Sequence, residues 1–160
     1  ESVERSCKRI HDDYEDHESE LSDDFMRQDA ILLNIQRMCQ ASIDLAMHVV
    51  RVRALGLPRE SSGAFELLKS AQLMDTELAD KMMKMVGFRN LAVHNYQAIN
   101  LEIVHAIINQ YLNDFRALTR WAITHDKQDQ DGFFFIRTVA LYLPLQTRVQ
   151  SARPHKEFFK

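Results

Sequence analysis

Apolar side chains return every third or fourth residue along most of the first 126 positions, and this period most limits how the chain can fold. Val3, Cys7, Ile10 and Tyr14 fall at spacings of four, three and four, which places them on one stripe of an α-helix. Acidic side chains take the opposite face. The stretch Ala30-Ile31-Leu32-Leu33-Asn34-Ile35-Gln36-Arg37-Met38-Cys39-Gln40-Ala41 is apolar on most sides, with apolar positions continuing to about Val52. It predicts a long helix at the centre of a bundle, beginning after Asp29. Gly56 and Pro58 end it, one by relaxing the backbone and the other by interrupting the hydrogen-bond ladder. A short helix from about Ser62 to Gln72 follows, with Phe65, Leu68 and Leu73 on its apolar side. Asp75 predicts an N-cap for a helix through Leu78, Met82, Met85 and Val86. Asn100 does the same for a last helix, whose Val104, Ile108, Tyr111, Phe115, Leu118 and Ala122 form a regular seam. Four glycines and three prolines in 160 residues are too few for the frequent turns of a β-sandwich or barrel. The expected architecture is an all-α bundle of four long helices with one short extra helix.

A length of 160 residues suits one domain, expected over residues 1–126. Residues 127–160 differ. Asp129-Gln130-Asp131-Gly132 breaks the helical pattern, Phe133-Phe134-Phe135-Ile136 is apolar without period, and Pro144 and Pro154 lie here. A poorly ordered or partner-docking C-terminal extension is expected. Cys7 and Cys39, the two cysteines, cannot make a disulfide framework or a four-ligand zinc site. In helical stretches they read as buried thiols of a reducing compartment, here the cytoplasm. No apolar run approaches the roughly 18 residues of a membrane span and no signal-peptide pattern opens the chain, so no membrane partner is expected. The first residue is Glu1 where Met would begin an untrimmed chain. Residues 1–24 carry ten acids against three bases, or −7, which leaves +4 on the other residues within the net −3. The acidic segment reads as a solvated face. The mildly positive remainder permits local contact with a polyanion, although the chain lacks the global basicity of many nucleic-acid binders.

Metal and phosphate-loop chemistry find little support. His11 and His17 are six residues apart and His94 and His105 eleven apart, so neither pair shares a helical face as i, i+4 metal ligands do. No glycine-rich phosphate loop and no Gly-x-Ser-x-Gly elbow occurs, and neither a cofactor nor a metal is expected. Attention falls instead on Arg89-Asn90-Leu91-Ala92-Val93-His94-Asn95-Tyr96. On a continuous helix Arg89 and His94 stand five steps, about 140°, apart. They meet at one phosphate only if the helix ends near the histidine or a second subunit completes the site. Asn90 and His94, four apart, share a face. Spacing alone is equally met by a surface arginine, a partly buried histidine and a packing tyrosine.

This segment resembles the R-x4-H-x-Y motif of the HepT-like toxins in the HEPN ribonuclease superfamily. Its flanks, Lys84-Met85-Val86-Gly87-Phe88 and Asn100-Leu101-Glu102-Ile103-Val104, resemble the family as well, and so does Ile31-Leu32-Leu33-Asn34-Ile35-Gln36-Arg37 with Asp44 beyond it. The likeness runs from about the first residues to His125. It implies a homodimeric HEPN bundle with two Arg89-to-His94 segments around one cleft. It also implies a metal-independent endoribonuclease, the toxin of a toxin–antitoxin pair. Arg89 would hold phosphate and stabilise developing charge, and His94 would act as general acid or base. Asn90 would orient the imidazole, and Arg37 would contact substrate or cleft. The implied partners are RNA and an MNT-type (MntA-like) nucleotidyltransferase antitoxin that transfers AMP onto Tyr96, in a homodimer or a larger hetero-oligomer. An attached AMP would compete for Arg89 and exclude RNA by its bulk. Two other readings predict different behaviour: a non-catalytic, nucleotide-binding helical partner of a nucleotidyltransferase, and a purely structural helical dimer.

Overall fold

Residues 3–94 and 99–126 are described in the computed structural model, and the regular structure among them is helical throughout. Helix α1 spans Val3–Tyr14, α2 Phe25–Val52, α3 Gly63–Ser70 and α4 Thr76–His94. The last long element is α5, Leu101–Ala106, which passes through a π-helical turn, Ile107–Tyr111, into α6, Leu112–Asp126. Four long helices and a short one therefore match the periodicity. The expected extension 127–160 lies outside the described residues.

The caps follow from side-chain chemistry. The Asp75 carboxylate accepts from the backbone N–H of Glu77 and Leu78, and the Asn100 side-chain oxygen accepts from Glu102. Each satisfies donors that the first turn leaves without an intrahelical partner. Helix α2 starts at Phe25, one turn before the expected Ala30, because Asp24 caps it. The Asp24 carboxylate accepts from the Arg27 backbone N–H at 3.0 Å and from Arg27 Nε at 3.1 Å. These bonds hold its carboxyl below the usual carboxylate range. At the other end Ala54 and Gly56 both take positive φ, 52° and 123°. That turns the chain out of α2 beyond Val52, and the second value suits glycine alone.

Polar contacts fix the helix directions. Arg27 Nη1 donates to the Asp13 carbonyl at 2.8 Å, and Cys7 Sγ lies 3.5 Å from Met38 Sδ, so α1 and α2 run antiparallel. Lys81 pairs with Asp114 at 3.4 Å, and Trp121 Nε1 donates to the Leu73 carbonyl at 2.7 Å, so α4 and α6 are antiparallel too. Tyr14 ties α1 to the start of the last helix. Asn109 Nδ2 donates to the Tyr14 oxygen at 3.1 Å, and the Tyr14 hydroxyl shares a hydrogen bond with His105 Nδ1 at 2.6 Å. It follows that α2 and α4 are antiparallel as well.

Between the helices Ile10, Ile31, Ile35, Phe65, Leu68 and Phe115 are completely buried. Two expectations need correction. The seam of the last helix is not regular, because the π turn inserts a residue and shifts its phase. Ile107 and Leu112 take core positions, and Tyr111 turns outward. Helix α2, expected at the centre of the bundle, keeps one side in water. It packs on α1, α3, α4 and α6, yet Asp29, Leu33, Arg37, Asp44, Met47 and Arg51 form an exposed stripe.

Phe115 sits at the centre with 0% exposure, so Phe115→Ala should destabilise the fold by about 3–5 kcal/mol through lost burial and a residual cavity. Urea unfolding followed by circular dichroism measures this as a lower midpoint at unchanged slope.

Candidate active site

Helix α4 carries Arg89 to its last turn without a break, so the backbone of His94 still belongs to the helix. The two motif positions therefore stand about 140° apart around one axis. They do not converge within α4 itself.

What the fold does to Arg89 is clear from its neighbours. Its guanidinium is half-buried between α4 and α2 and donates Nη2–H to the Gln40 side-chain oxygen at 3.0 Å. Nη1–H goes to the Asn90 oxygen at 3.2 Å. Gln40 in turn donates its amide Nε2 to the Asp44 carboxylate at 2.8 Å. Guanidinium can only donate and carboxylate can only accept, so the amide of Gln40 has one useful orientation, nitrogen to Asp44 and oxygen to Arg89. Two neutral carbonyl groups thus aim the arginine. They take two of its five N–H donors and leave its charge uncancelled by any carboxylate in these contacts. Such a group is suited to an anion, above all a phosphate.

Asn90 was expected to orient the His94 imidazole; its observed bond is to Arg89. Arg37 lies on the exposed stripe of α2. From Arg89 to His94 the chain rises about 7.5 Å along α4, which brings the helix end level with about Ile35 to Arg37 on antiparallel α2. Arg37 and the motif histidine are therefore carried at one height of the bundle. Tyr96 falls outside the described residues. Sequence reasoning assigned no role to Gln40 or to its contact with Asp44. The i, i+4 spacing of Gln40 and Asp44 was the available signal, though nothing in one helix says that an arginine 49 positions later lands on it.

Cys39 lies beneath this network, its Sγ 3.5 Å from the Met85 carbonyl. Burial pushes its thiol up to about 12, although the nearby Arg89 guanidinium favours the thiolate. Among the described residues no group of three His, Cys, Asp or Glu side chains is placed to hold a metal ion, and no helix is long and apolar enough to cross a membrane.

Comparison with known proteins yields matches over most of the chain. The family described as ribonuclease HepT-like matches residues 3–121. The mRNA nuclease HepT of Shewanella oneidensis is 44% identical over 114 residues, which is 71% of this chain and 85% of that protein. Two solved structures superpose closely. One, of a toxin–antitoxin with AMP-PNP, has a TM-score of 0.73 at 40% identity and covers 76% of this chain and 92% of its own. The other, a tri-AMPylated Shewanella oneidensis HEPN toxin in complex with an MNT antitoxin, has a TM-score of 0.72 at 41% identity, with 76% and 91% covered.

The buried, protonated Cys39 should resist alkylation. At pH 8 iodoacetamide should leave it unmodified in the folded protein and label it fully in urea, as read by intact mass, because only the accessible thiolate reacts.

Proposed function

The chain belongs to the HepT-like ribonuclease family, and from that premise we propose that it is the toxin of a toxin–antitoxin pair, an endoribonuclease acting through Arg89 and His94. The observation that carries this reading is the aimed, charge-bearing Arg89 on the helix that ends at His94. The composite site is built by two copies, since the two positions diverge on one straight helix.

The chemistry follows from what RNA brings. The 2′-hydroxyl is an internal nucleophile, so cleavage requires a proton acceptor, a proton donor and a cation at the phosphate. His94 of one copy takes the 2′-hydroxyl proton as the O2′–P bond forms. The His94 of a second copy returns a proton to the 5′-oxygen as the P–O5′ bond breaks. The products are a 2′,3′-cyclic phosphate and a free 5′-hydroxyl. Arg89 binds the non-bridging oxygens and stabilises the charge that grows on them. Gln40 and Asp44 keep the guanidinium pointed at that place. Arg37, at the same height on α2, contacts the flanking backbone of the substrate. Because the nucleophile is already part of the substrate, this route needs no metal-activated water.

Control falls to Tyr96, two residues beyond His94. An MNT-type antitoxin transfers AMP onto its hydroxyl, and the added phosphate then occupies Arg89 while the adenosine excludes RNA. The toxin named among the structural neighbours is AMPylated and bound to an MNT antitoxin, which supports this assignment. We place the activity in the cytoplasm, where RNA is abundant and where the free Cys7 and Cys39 stay reduced. A non-catalytic nucleotide-binding partner could use an arginine held in this way as well, and the nuclease reading is preferred because the 44% identical relative is an mRNA nuclease.

Arg89→Ala and His94→Ala should each lower RNA cleavage by about 100-fold or more and relieve growth inhibition. Gln40→Leu, which removes only the acceptor that aims Arg89, should give a smaller loss, about 10-fold in kcat/KM. Wild-type cleavage should persist in EDTA. Uncleaved RNA with wild-type protein, or equal activity in all variants, contradicts the assignment.

Co-expression with the cognate nucleotidyltransferase should add AMP-sized mass to the wild-type chain and none to Tyr96→Phe, as read by intact-mass spectrometry. Modified Tyr96→Phe protein would move the acceptor elsewhere.

A further inference from the structure

Unequal helix lengths leave a gap on one side of the bundle. Helix α1 has 12 residues against 28 in α2, so it begins at Val3 while α2 and α6, which run the same way, continue past it. Where α1 gives out, Val3, Ala41, Ser42, Leu45, Thr119 and Ala122 line a half-open groove of about 40 Å³. Its floor is low because Ala41, Ser42 and Ala122 are small. Its surface is almost wholly apolar despite two hydroxyl-bearing residues. Ser42 Oγ donates to the Met38 carbonyl at 2.8 Å and Thr119 Oγ1 to the Phe115 carbonyl at 3.0 Å. Each hydroxyl is thus spent one turn back on its own helix, which leaves the groove suited to an apolar occupant.

We infer that this groove is the docking site of the chain's own Phe133-Phe134-Phe135-Ile136 run. Helix α6 ends at Asp126, four residues or about 6 Å beyond Ala122. Six residues, Lys127 to Gly132, separate Asp126 from Phe133, and fully extended they reach about 20 Å. That covers the return to Ala122 and the crossing to α2, since packed helix axes lie about 8–10 Å apart. Asp129, Asp131 and Gly132 are residue types that favour a reversal of the chain. Four consecutive large apolar side chains meet a surface that asks for no hydrogen bond, and docking takes both out of water.

Charge selects this occupant over a second copy of the chain. Residues 1–24, which include α1 at the rim of the groove, carry −7, and two copies meeting here would set those segments side by side. Residues 127–160 carry six bases against three acids, or +3, and are drawn to the same face. The family match ends at residue 121, so the groove belongs almost entirely to the shared helical body while its occupant lies beyond the match. Helix α4 runs opposite to α2 and α6, which places His94 toward the other end of the bundle. The docked run therefore stays clear of the motif.

The test uses the full chain with photoreactive benzoylphenylalanine in place of Phe133, Phe134 or Phe135, one position at a time, and reads crosslinked peptides by mass spectrometry. At least one position should crosslink to residues 41–45 or 118–122. Mixing isotope-labelled with unlabelled chains should give no mixed products, since the contact lies within one chain. Thr119→Asp, which sets a carboxylate against the apolar run, should lower the yield about 10-fold. A second measurement leaves the groove itself untouched. In the full-length variant F133S/F134S/F135S, backbone amides of 41–45 and 118–122 should exchange hydrogen about 10-fold faster than in wild type, with those of Ile31 and Ile35 unchanged. Crosslinks that fall elsewhere, or only between chains, overturn the docking. So does a yield indifferent to a folded Thr119→Asp, or exchange unaltered by the triple replacement.

Discussion

A carboxylate accepts hydrogen bonds, a guanidinium donates them, and Gln40 bridges one of each. That arrangement decides much else about the site. Asp44 orients the amide, the amide oxygen orients Arg89, and these contacts set no carboxylate of the described residues against the cation. Had position 40 carried a glutamate, it would have repelled Asp44 and neutralised the arginine. With an apolar side chain there, the guanidinium would keep only Asn90, its neighbour on the same helix, to direct it. The fixed orientation comes from the two helices being packed side by side, and the packing comes from the apolar faces behind them.

The same packing gives α2 two different duties. Its inner faces hold Ile31, Ile35, Met38 and Ala46 in the core, against α1, α3, α4 and α6. Its outer stripe carries alternating charge with two apolar side chains. A helix of 28 residues is long enough to serve the core along its whole length and still present a surface about 33 Å long. Because α4 stays helical to His94, the separation of arginine and histidine around its axis is built into the fold. A straight helix cannot bring them together, which is why the proposed chemistry calls on two such helices. Cys39 beneath the network is buried, and that burial pushes its thiol well above the usual range.

The parts of the fold that sequence made legible are those written in local interactions. Asp75 and Asn100 cap their helices because a short polar side chain can reach backbone N–H groups two or three residues ahead. Val3, Cys7, Ile10 and Tyr14 face the core because a 3.6-residue period puts them there. Failures occurred where a local rule met a nonlocal one. Helix α2 begins at Phe25, where Asp24 caps it and Arg27, which closes the cap, is also tied to the Asp13 carbonyl on α1. The final helix slips by one residue at Ile107–Tyr111, where Asn109 is drawn to Tyr14 on α1 and Ile107 and Leu112 enter the core. The hydrophobicity of α2 on most of its sides concealed its exposed stripe, because Leu33 and Met47 look like core residues in a string of letters.

By itself the sequence determined the helical class and the helix ends set by the Asp75 and Asn100 caps. These depend on neighbours three or four residues away. Only the tertiary structure decided that Gln40 would aim Arg89 and which side of α2 would stay in water. The contact of Gln40 with Arg89 joins residues nearly fifty positions apart, and no periodicity in a single helix specifies what another helix will lay against it.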